Sequence, residues 1–263
     1  MTIPVVNLAD FTSGDPILKK NFVEKLGRAF EEVGFVAVGN HGISANLIET
    51  LYKNVQQFFS LPSEKKKNFE IPELAGQRGY TSFGKEHAKG SDAPDLKEFF
   101  QYGQVVPTTH NLKSEYPDNV KVDEISGFDE TFFNAYRAFE KSGKFLLQAI
   151  AIYLELDENY FDDFIEEGNS IVRAIHYPPI NNEPKSAIRA EQHEDINLIT
   201  LLVGASADGL QILTKNSEWL SVTSLPDQIV VNVGDMLQRL TNNKLKSTTH
   251  RVINPPRELW HTS

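Results

Sequence analysis

Seven histidines and no cysteine define the metal chemistry open to this 263-residue chain. Without thiols there are no disulfides, no thiol nucleophile, no cysteine-bound zinc and no iron–sulfur cluster, and His, Asp and Glu remain as ligands. One run stands out: His193-Glu194-Asp195, followed directly by Ile196-Asn197-Leu198-Ile199-Thr200-Leu201. At the start of a strand, residues i and i+2 share a face, so His193 and Asp195 converge while Glu194 turns away. A second strand-like run, Ser247 to Val252, offers His250 after enough chain for several strands to wrap and return. Two imidazoles and a carboxylate on one face of a metal leave the opposite positions open, the arrangement that lets ferrous oxygenases admit a chelating cosubstrate and O₂. His-x-Asp also arises often by chance, and a histidine in a strand is more often a core or surface residue. On spacing alone both readings stand.

The elements that must position these residues fall into two kinds. The first half reads as mostly helical after an extended start at Ile3 to Leu8. Asp15 caps a helix with Pro16 in its first turn and Gly34 past its end, and Leu18, Phe22, Leu26, Ala29 and Val33 form its apolar face. A buried strand at Phe35 to Val38 closes on the turn Asn40-His41-Gly42. A second helix runs from Ser44 to a stop at Leu61-Pro62. Residues 70–95 read as a long irregular stretch, with a short strand at Glu98 to Tyr102. Phe128 to Leu156 is the longest helical pattern and is expected to support the core from behind. From Ile171 onward, short alternating runs (Ile171–Tyr177, Asn197–Val203, Gly209–Leu213, Gln228–Val233, Ser247–Ile253) predict an antiparallel sandwich or barrel. The expected fold class is α+β, a mainly β core under an N-terminal helical layer.

Composition removes other functions. Lys+Arg minus Asp+Glu is 26 − 36 = −10, a charge that repels phosphate backbones and anionic lipid. No apolar run reaches the roughly 20 residues of a membrane span, and MTIPVVNLADF has no signal-like core, so the expectation is a soluble, cytoplasmic protein. Neither Gly-x-Gly-x-x-Gly, Gly-x-Ser-x-Gly nor His-Glu-x-x-His occurs, which sets aside nucleotide cofactors, common hydrolases and zinc proteases. Lys65-Lys66-Lys67 beside Glu64 reads as a solvated face.

A series of motifs in fixed order then narrows the reading: Ile3-Pro4-Val5-Val6, Glu32-Val33-Gly34-Phe35, Asn40-His41-Gly42-Ile43 and Phe58-Phe59-Ser60-Leu61-Pro62. His176-Tyr177-Pro178-Pro179, His193-Glu194-Asp195, Asp208-Gly209-Leu210-Gln211 with Trp219, Asn232-Val233-Gly234-Asp235 and Thr248-Thr249-His250-Arg251-Val252 follow. In these the sequence closely resembles the isopenicillin N synthase-like branch of the 2-oxoglutarate/Fe(II)-dependent oxygenases, from Ile3 to about Pro256. The resemblance implies a double-stranded β-helix (jelly roll). It implies an N-terminal non-haem dioxygenase region over 1–125 and an oxygenase core with its supporting helix over 126–263. His193, Asp195 and His250 match the family's iron ligands and are the catalytic centre. Tyr177 matches the tyrosine that bonds one end of the oxoacid, although its ring could equally pack in the barrel. Asn40-His41-Gly42 is expected to close a turn, and Asn232 and Asp235 to fix one between strands.

The implied chemistry is oxidation of a small-molecule substrate by O₂ with Fe(II) and 2-oxoglutarate, giving succinate and CO₂. Hydroxylation, desaturation, ring closure and ethylene formation all remain open. By the family's pattern, substrate contacts fall on Arg78, Tyr80 and the stretch Glu98 to Tyr102, Phe100 in particular; a solvated arginine and core aromatics are the competing reading. Partners other than a small molecule are not expected, and the chain should be a monomer or weak homo-oligomer. One departure is specific. The family continues past the region of Pro255-Pro256 into Arg-x-Ser, whose guanidinium pairs with the far carboxylate of 2-oxoglutarate. No Arg-x-Ser follows His250, Arg251 is expected to face away, and the sequence closes at Trp260-His261-Thr262-Ser263, about where the motif would begin. The expectation is a sequence cut short of it. Two alternatives carry over: an iron oxidase of the same fold that needs no 2-oxoglutarate, and a non-catalytic small-molecule binding protein.

Overall fold

The computed structural model describes residues 3–86, 94–166, 168–180, 188–204, 209–223 and 225–256. In chain order the elements are β1 (Val5–Asn7), α1 (Leu8–Thr12), α2 (Pro16–Glu32), β2 (Phe35–Gly39), α3 (Ala45–Phe59), α4 (Ser63–Lys67), β3 (Gly79–Thr81) and β4 (Glu98–Gly103). They continue with α5 (Phe128–Tyr153), α6 (Asp162–Glu166), β5 (Ile171–His176), β6 (Ala190–His193), β7 (Ile199–Val203) and β8 (Leu210–Leu213). The last are β9 (Trp219–Ser221), β10 (Gln228–Val233), α7 (Asp235–Leu240) and β11 (His250–Val252). Two compact units result, one of Met1–Gly42, Lys141–Asp163 and Ala190–Pro255, the other of Ile43–Glu140, Phe164–Arg189 and Pro256–Ser263.

The first unit holds two four-stranded sheets, ordered β1-β2-β10-β7 and β6-β11-β8-β9. All pairs are antiparallel except β1 with β2. Ile3, Phe35, Ala37 and Val230 from one sheet side meet Leu210, Ile212 and Val222 from the other in a shared apolar core. This is the α+β arrangement of a jelly-roll core. Helix α2 starts where the sequence predicts. The Asp15 carboxylate accepts from the backbone N–H of Ile17 (2.7 Å) and Leu18 (3.3 Å), and Pro16 occupies the first turn. Gly34 ends it at φ +78°, where a Cβ would stand 2.4 Å from the Lys246 carbonyl, so only glycine fits.

The second unit is built on the three-stranded sheet β3-β4-β5. One face packs on an aromatic cluster from α3, the turn after α4, and α5. Phe58 is at its centre, with the rings of Phe59, Phe69, Tyr80, Phe100 and Phe128 at centroid distances of 5.0 to 5.8 Å, mostly edge-on. Strand β3 lies inside the stretch expected to be irregular, and β9 and α7 were not anticipated. Each is short and takes its order from pairing or packing rather than from its own periodicity. No helix among the described residues is long and apolar enough to cross a membrane.

Candidate metal centre

His193 is the last residue of β6 and His250 the first of β11, and the antiparallel register sets them directly opposite each other. Their ring centroids are 4.4 Å apart. Asp195 follows in the bend between β6 and β7, with Oδ1 3.7 Å from His193 Nε2 and 3.8 Å from His250 Nε2. The three ligand-capable atoms all lie within 4.8 Å of one another, and the group is the one such trio among the described residues. The expectation that His193 opens a strand is corrected here: the strand ends at His193, and the next begins at Ile199 rather than Asn197. Convergence of His193 with Asp195 therefore comes from a held bend, not from strand alternation.

That bend is clasped by the segment after β10. Gly234 N–H donates to the Leu198 carbonyl, Asp235 N–H to the Asp195 carbonyl (2.7 Å) and Met236 N–H to the Asn197 carbonyl. Gly234 lies so close that a Cβ would be 2.2 Å from the Asn197 carbonyl oxygen. Asn232, expected to fix a turn, lies on β10 and donates from Nδ2 to Asp195 Oδ2 (2.9 Å), which Thr200 Oγ1 also reaches at 2.5 Å. One carboxylate oxygen is thus occupied and Oδ1 is left toward the histidines. Each imidazole is fixed likewise, with Nδ1 of His193 2.7 Å from the Glu191 carbonyl and Nδ1 of His250 3.1 Å from the Thr248 carbonyl. A carbonyl only accepts, so in the neutral imidazole Nδ1 carries the hydrogen and the lone pair is on Nε2. Glu194 points away, as expected, and accepts from Thr249 Oγ1 just beyond the ends of β6 and β11.

Electrostatics suit a cation. Burial pushes the Asp195 carboxyl up, but His250, the Asn232 and Thr200 hydrogen bonds and His193 together hold it below the usual carboxylate range. Burial pushes the His250 imidazole down, beyond the opposing pull of Asp195. A charged carboxylate beside a neutral, oriented imidazole is the protonation state metal binding requires. Two nitrogen donors and one oxygen donor with their other polar atoms already engaged fit a divalent first-row metal, and the partners that aim them are those a metal site needs. Asn232, Thr200 and Gly234 are the residues the sequence reading missed as site builders. For Asn232 and Gly234 the signal was their place in the Asn-x-Gly-Asp motif, which spacing alone assigned to a turn; Thr200, in β7, carried none.

The remaining candidates lie in the second unit. Tyr177 follows β5, its ring 5.3 Å from the Arg189 guanidinium. Burial, with Asp95 and Glu86 adding to it against Arg189 and Arg173, pushes its phenol up to about 12, so it is a neutral donor at pH 7. Arg78 is fully buried, donating to the Gln77 carbonyl and to Asn169 Oδ1, and lies under Gly103 where a Cβ would meet the guanidinium at 2.0 Å. Phe100 is inside the aromatic cluster, and the Tyr80 hydroxyl donates to Glu98. That carboxylate also takes both contacts from Lys66 Nζ (2.8 Å) and one from His176 Nδ1 (2.8 Å). Arg251 turns from the metal residues to lie 3.9 Å over the Trp219 ring, bonded to Gln211. Arg257 and the end of the sequence lie outside the described residues.

Residues 3–124 match the family model for the non-haem dioxygenase in morphine synthesis N-terminal region, and residues 168–259 that of the 2OG-Fe(II) oxygenase superfamily. A 2-oxoglutarate-Fe(II) type oxidoreductase of Metarhizium rileyi is 33% identical over 96% of this chain and 75% of its own length. A 2OG-Fe(II) oxygenase family protein from Caulobacter crescentus superposes with a TM-score of 0.88 at 39% identity, covering 98% of this chain and 82% of that one. A Neurospora crassa enzyme solved with alpha-KG and thymine gives 0.84 at 31% identity, over 97% of this chain and 80% of that one.

Proposed function

The chain belongs to the 2-oxoglutarate/Fe(II) oxygenase superfamily, and from that premise we propose that His193, Asp195 and His250 are its iron ligands and that Tyr177 binds one end of 2-oxoglutarate. The protein is an oxygenase that uses Fe(II), 2-oxoglutarate and O₂ on a small-molecule substrate. Bound at these residues, ferrous iron supplies the redox chemistry that couples decarboxylation of 2-oxoglutarate to succinate and CO₂ with oxidation of the substrate. The protein's own part is to orient and to exclude alternatives. Asn232 and Thr200 hold Asp195 Oδ2, which makes the carboxylate a one-oxygen ligand. The Glu191 and Thr248 carbonyls hold the imidazoles in the Nδ1–H form. Tyr177, neutral at pH 7, donates its O–H to a carboxylate of the oxoacid.

The observation that carries this reading is the His193–Asp195–His250 convergence with every other polar atom of the trio engaged. For Arg78, Tyr80 and Phe100 we propose packing roles in place of substrate contact, because all three are buried among residues of their own unit. We propose a cytoplasmic monomer or weak homo-oligomer; the charge of −10 supports work without nucleic acid or anionic membrane, which it repels. The test is an anaerobic titration of the Fe(II)-loaded protein with 2-oxoglutarate, followed by the visible metal-to-ligand charge-transfer band. A saturable band in the native chain, lost in His193→Ala, is the expected result; Tyr177→Phe should retain the band at a raised Kd. A band that survives His193→Ala overturns the ligand assignment, and an unchanged Kd removes Tyr177 from the cosubstrate site.

A further inference from the structure

Where the chain leaves β4 there is a cavity of about 330 Å³ whose described lining residues all belong to the second unit. Nothing in the chemistry proposed above uses it. Asn119 forms part of its wall. Its Oδ1 accepts from the Gly103 N–H (2.7 Å) and its Nδ2 donates to the Gly103 carbonyl (2.9 Å), so the side chain pairs with the last residue of β4 as a neighbouring strand would. Tyr102 supplies a ring from the aromatic cluster, and Val105, 47% exposed, adds an aliphatic side. Burial pushes the Tyr102 phenol up and the Asp129 charge adds to this against Asn119 and Arg137, so the phenol is neutral at pH 7.

Two acceptors lining this cavity are short of donors. Gln104 is 5% exposed; its Nε2 donates to the Glu166 carbonyl (2.9 Å), while its Oε1 is buried with no hydrogen-bond partner among the described residues. An amide oxygen left in that state is costly and calls for a donor that the chain does not provide. Asp129, in the first turn of α5, accepts one hydrogen bond among the described residues, from the Val122 N–H at a long 3.4 Å. Burial raises its carboxyl and Asp123 adds to this, and Val122 and Lys121 do not offset them. The other charges that act here are paired: Asp118 with Lys113 (2.5 Å) and Arg137 with Glu140 (2.6 Å). Asp123 and Asp129 then stand against Lys121, one negative charge in excess. A hard divalent cation would need six or more oxygens, and among the described residues no third carboxylate or imidazole converges with these. An ammonium group brings three N–H donors and one positive charge. We infer that this cavity binds a small organic cation, a primary ammonium on a short apolar chain, its nitrogen donating to Gln104 Oε1 and Asp129 and its chain lying against Tyr102 and Val105. The inference uses no residue of the metal centre and does not rest on the proposed function.

The probe is n-butylammonium at pH 7, titrated by saturation-transfer NMR into the full chain with zinc and 2-oxoglutarate occupying the metal centre. n-Butanol and butyrate share the carbon chain and lack the cation. Saturable binding is expected for n-butylammonium and for neither of the others. Gln104→Leu and Asp129→Asn should each weaken it roughly 10- to 100-fold, the worth of a hydrogen bond to a charged group. Lys121→Met, which removes a like charge, should bind at least as tightly as the native chain. Asp129→Asn keeps the shape of its side chain and decides the matter if Gln104→Leu does not fold, as judged by circular dichroism. No saturable binding to the native chain, equal binding of n-butanol or butyrate, or an affinity unchanged in Asp129→Asn or in a folded Gln104→Leu overturns the assignment. Binding confined to Lys121→Met also overturns it, because the cation of the cavity is then Lys121 itself.

Discussion

At the scale of single residues, a metal ligand is only as good as the groups that hold it. Asp195 accepts from Asn232 and Thr200 through one oxygen, and each histidine is tied through Nδ1 to a carbonyl two residues earlier in the chain. These ties cost nothing at the moment of metal binding, because the donors are already aimed. Asn232→Ala removes one of the two bonds that fix the carboxylate. Cobalt affinity, measured by competition with a chromophoric chelator, should fall roughly 10- to 100-fold while the circular dichroism spectrum stays native. Affinity within a factor of about two of the native chain would mean that Thr200 and the backbone clasp suffice. The triad was legible in the sequence because its residue types are rare and strongly patterned. Asn232 was visible only as part of a turn motif, since nothing local says which side chain it will meet 37 positions away.

Among the elements, the sheet β3-β4-β5 is the place where the second unit's stability gathers. Glu98 lies opposite His176 in the register and accepts from Lys66, Tyr80 and His176 at once, with the Lys66–Glu98 pair almost wholly buried. Burial pushes the Glu98 carboxyl up, yet His176, Lys66 and Tyr80 together bring it below its ordinary value of 4.5. A carboxyl with a depressed folded pKa contributes stability that is complete above the unfolded value and drains as pH falls through the folded one. Urea midpoints should therefore decline below pH 4.5 in the native chain. Glu98→Gln should show a flatter acid limb and, at pH 7, a loss of about 3 kcal/mol from leaving Lys66 buried without its carboxylate. A native-like urea midpoint at pH 7 would show that Lys66 finds another partner. This pairing was not legible beforehand: Lys66 read as part of a solvated charge run and Glu98 as the start of a short strand, and both are buried. Parity is the other thing the elements decided. Arg78, Tyr80 and Phe100 were reasonable candidates by type, and strand register put Tyr80 and Phe100 on the buried face while Arg78 filled the space under Gly103.

For the molecule as a whole, metal binding and folding are linked. A ligand that binds only the folded state stabilises it by about 2.7 kcal/mol at 100 times Kd. Cobalt should raise the thermal midpoint of the native chain and leave that of His193→Ala unmoved; an equal rise in both would place the ion elsewhere. The sequence by itself determined the class of chemistry, since absent cysteine and a His-x-Asp plus distant His leave few metal sites, and the order of motifs selected one family. It also determined the long helices, whose apolar period and caps are local: Asp15, Pro16 and Gly34 bound α2 as expected. Tertiary structure alone decided the rest. It set His193 opposite His250, put Asp195 in a bend held by Gly234 and Asn232, and turned Tyr80 and Phe100 to the buried face of β3-β4-β5. The physical reason is common to all three. Strand pairing and close backbone approach join residues far apart in the chain, and their register is fixed by the packing of whole faces, which no short window of sequence contains.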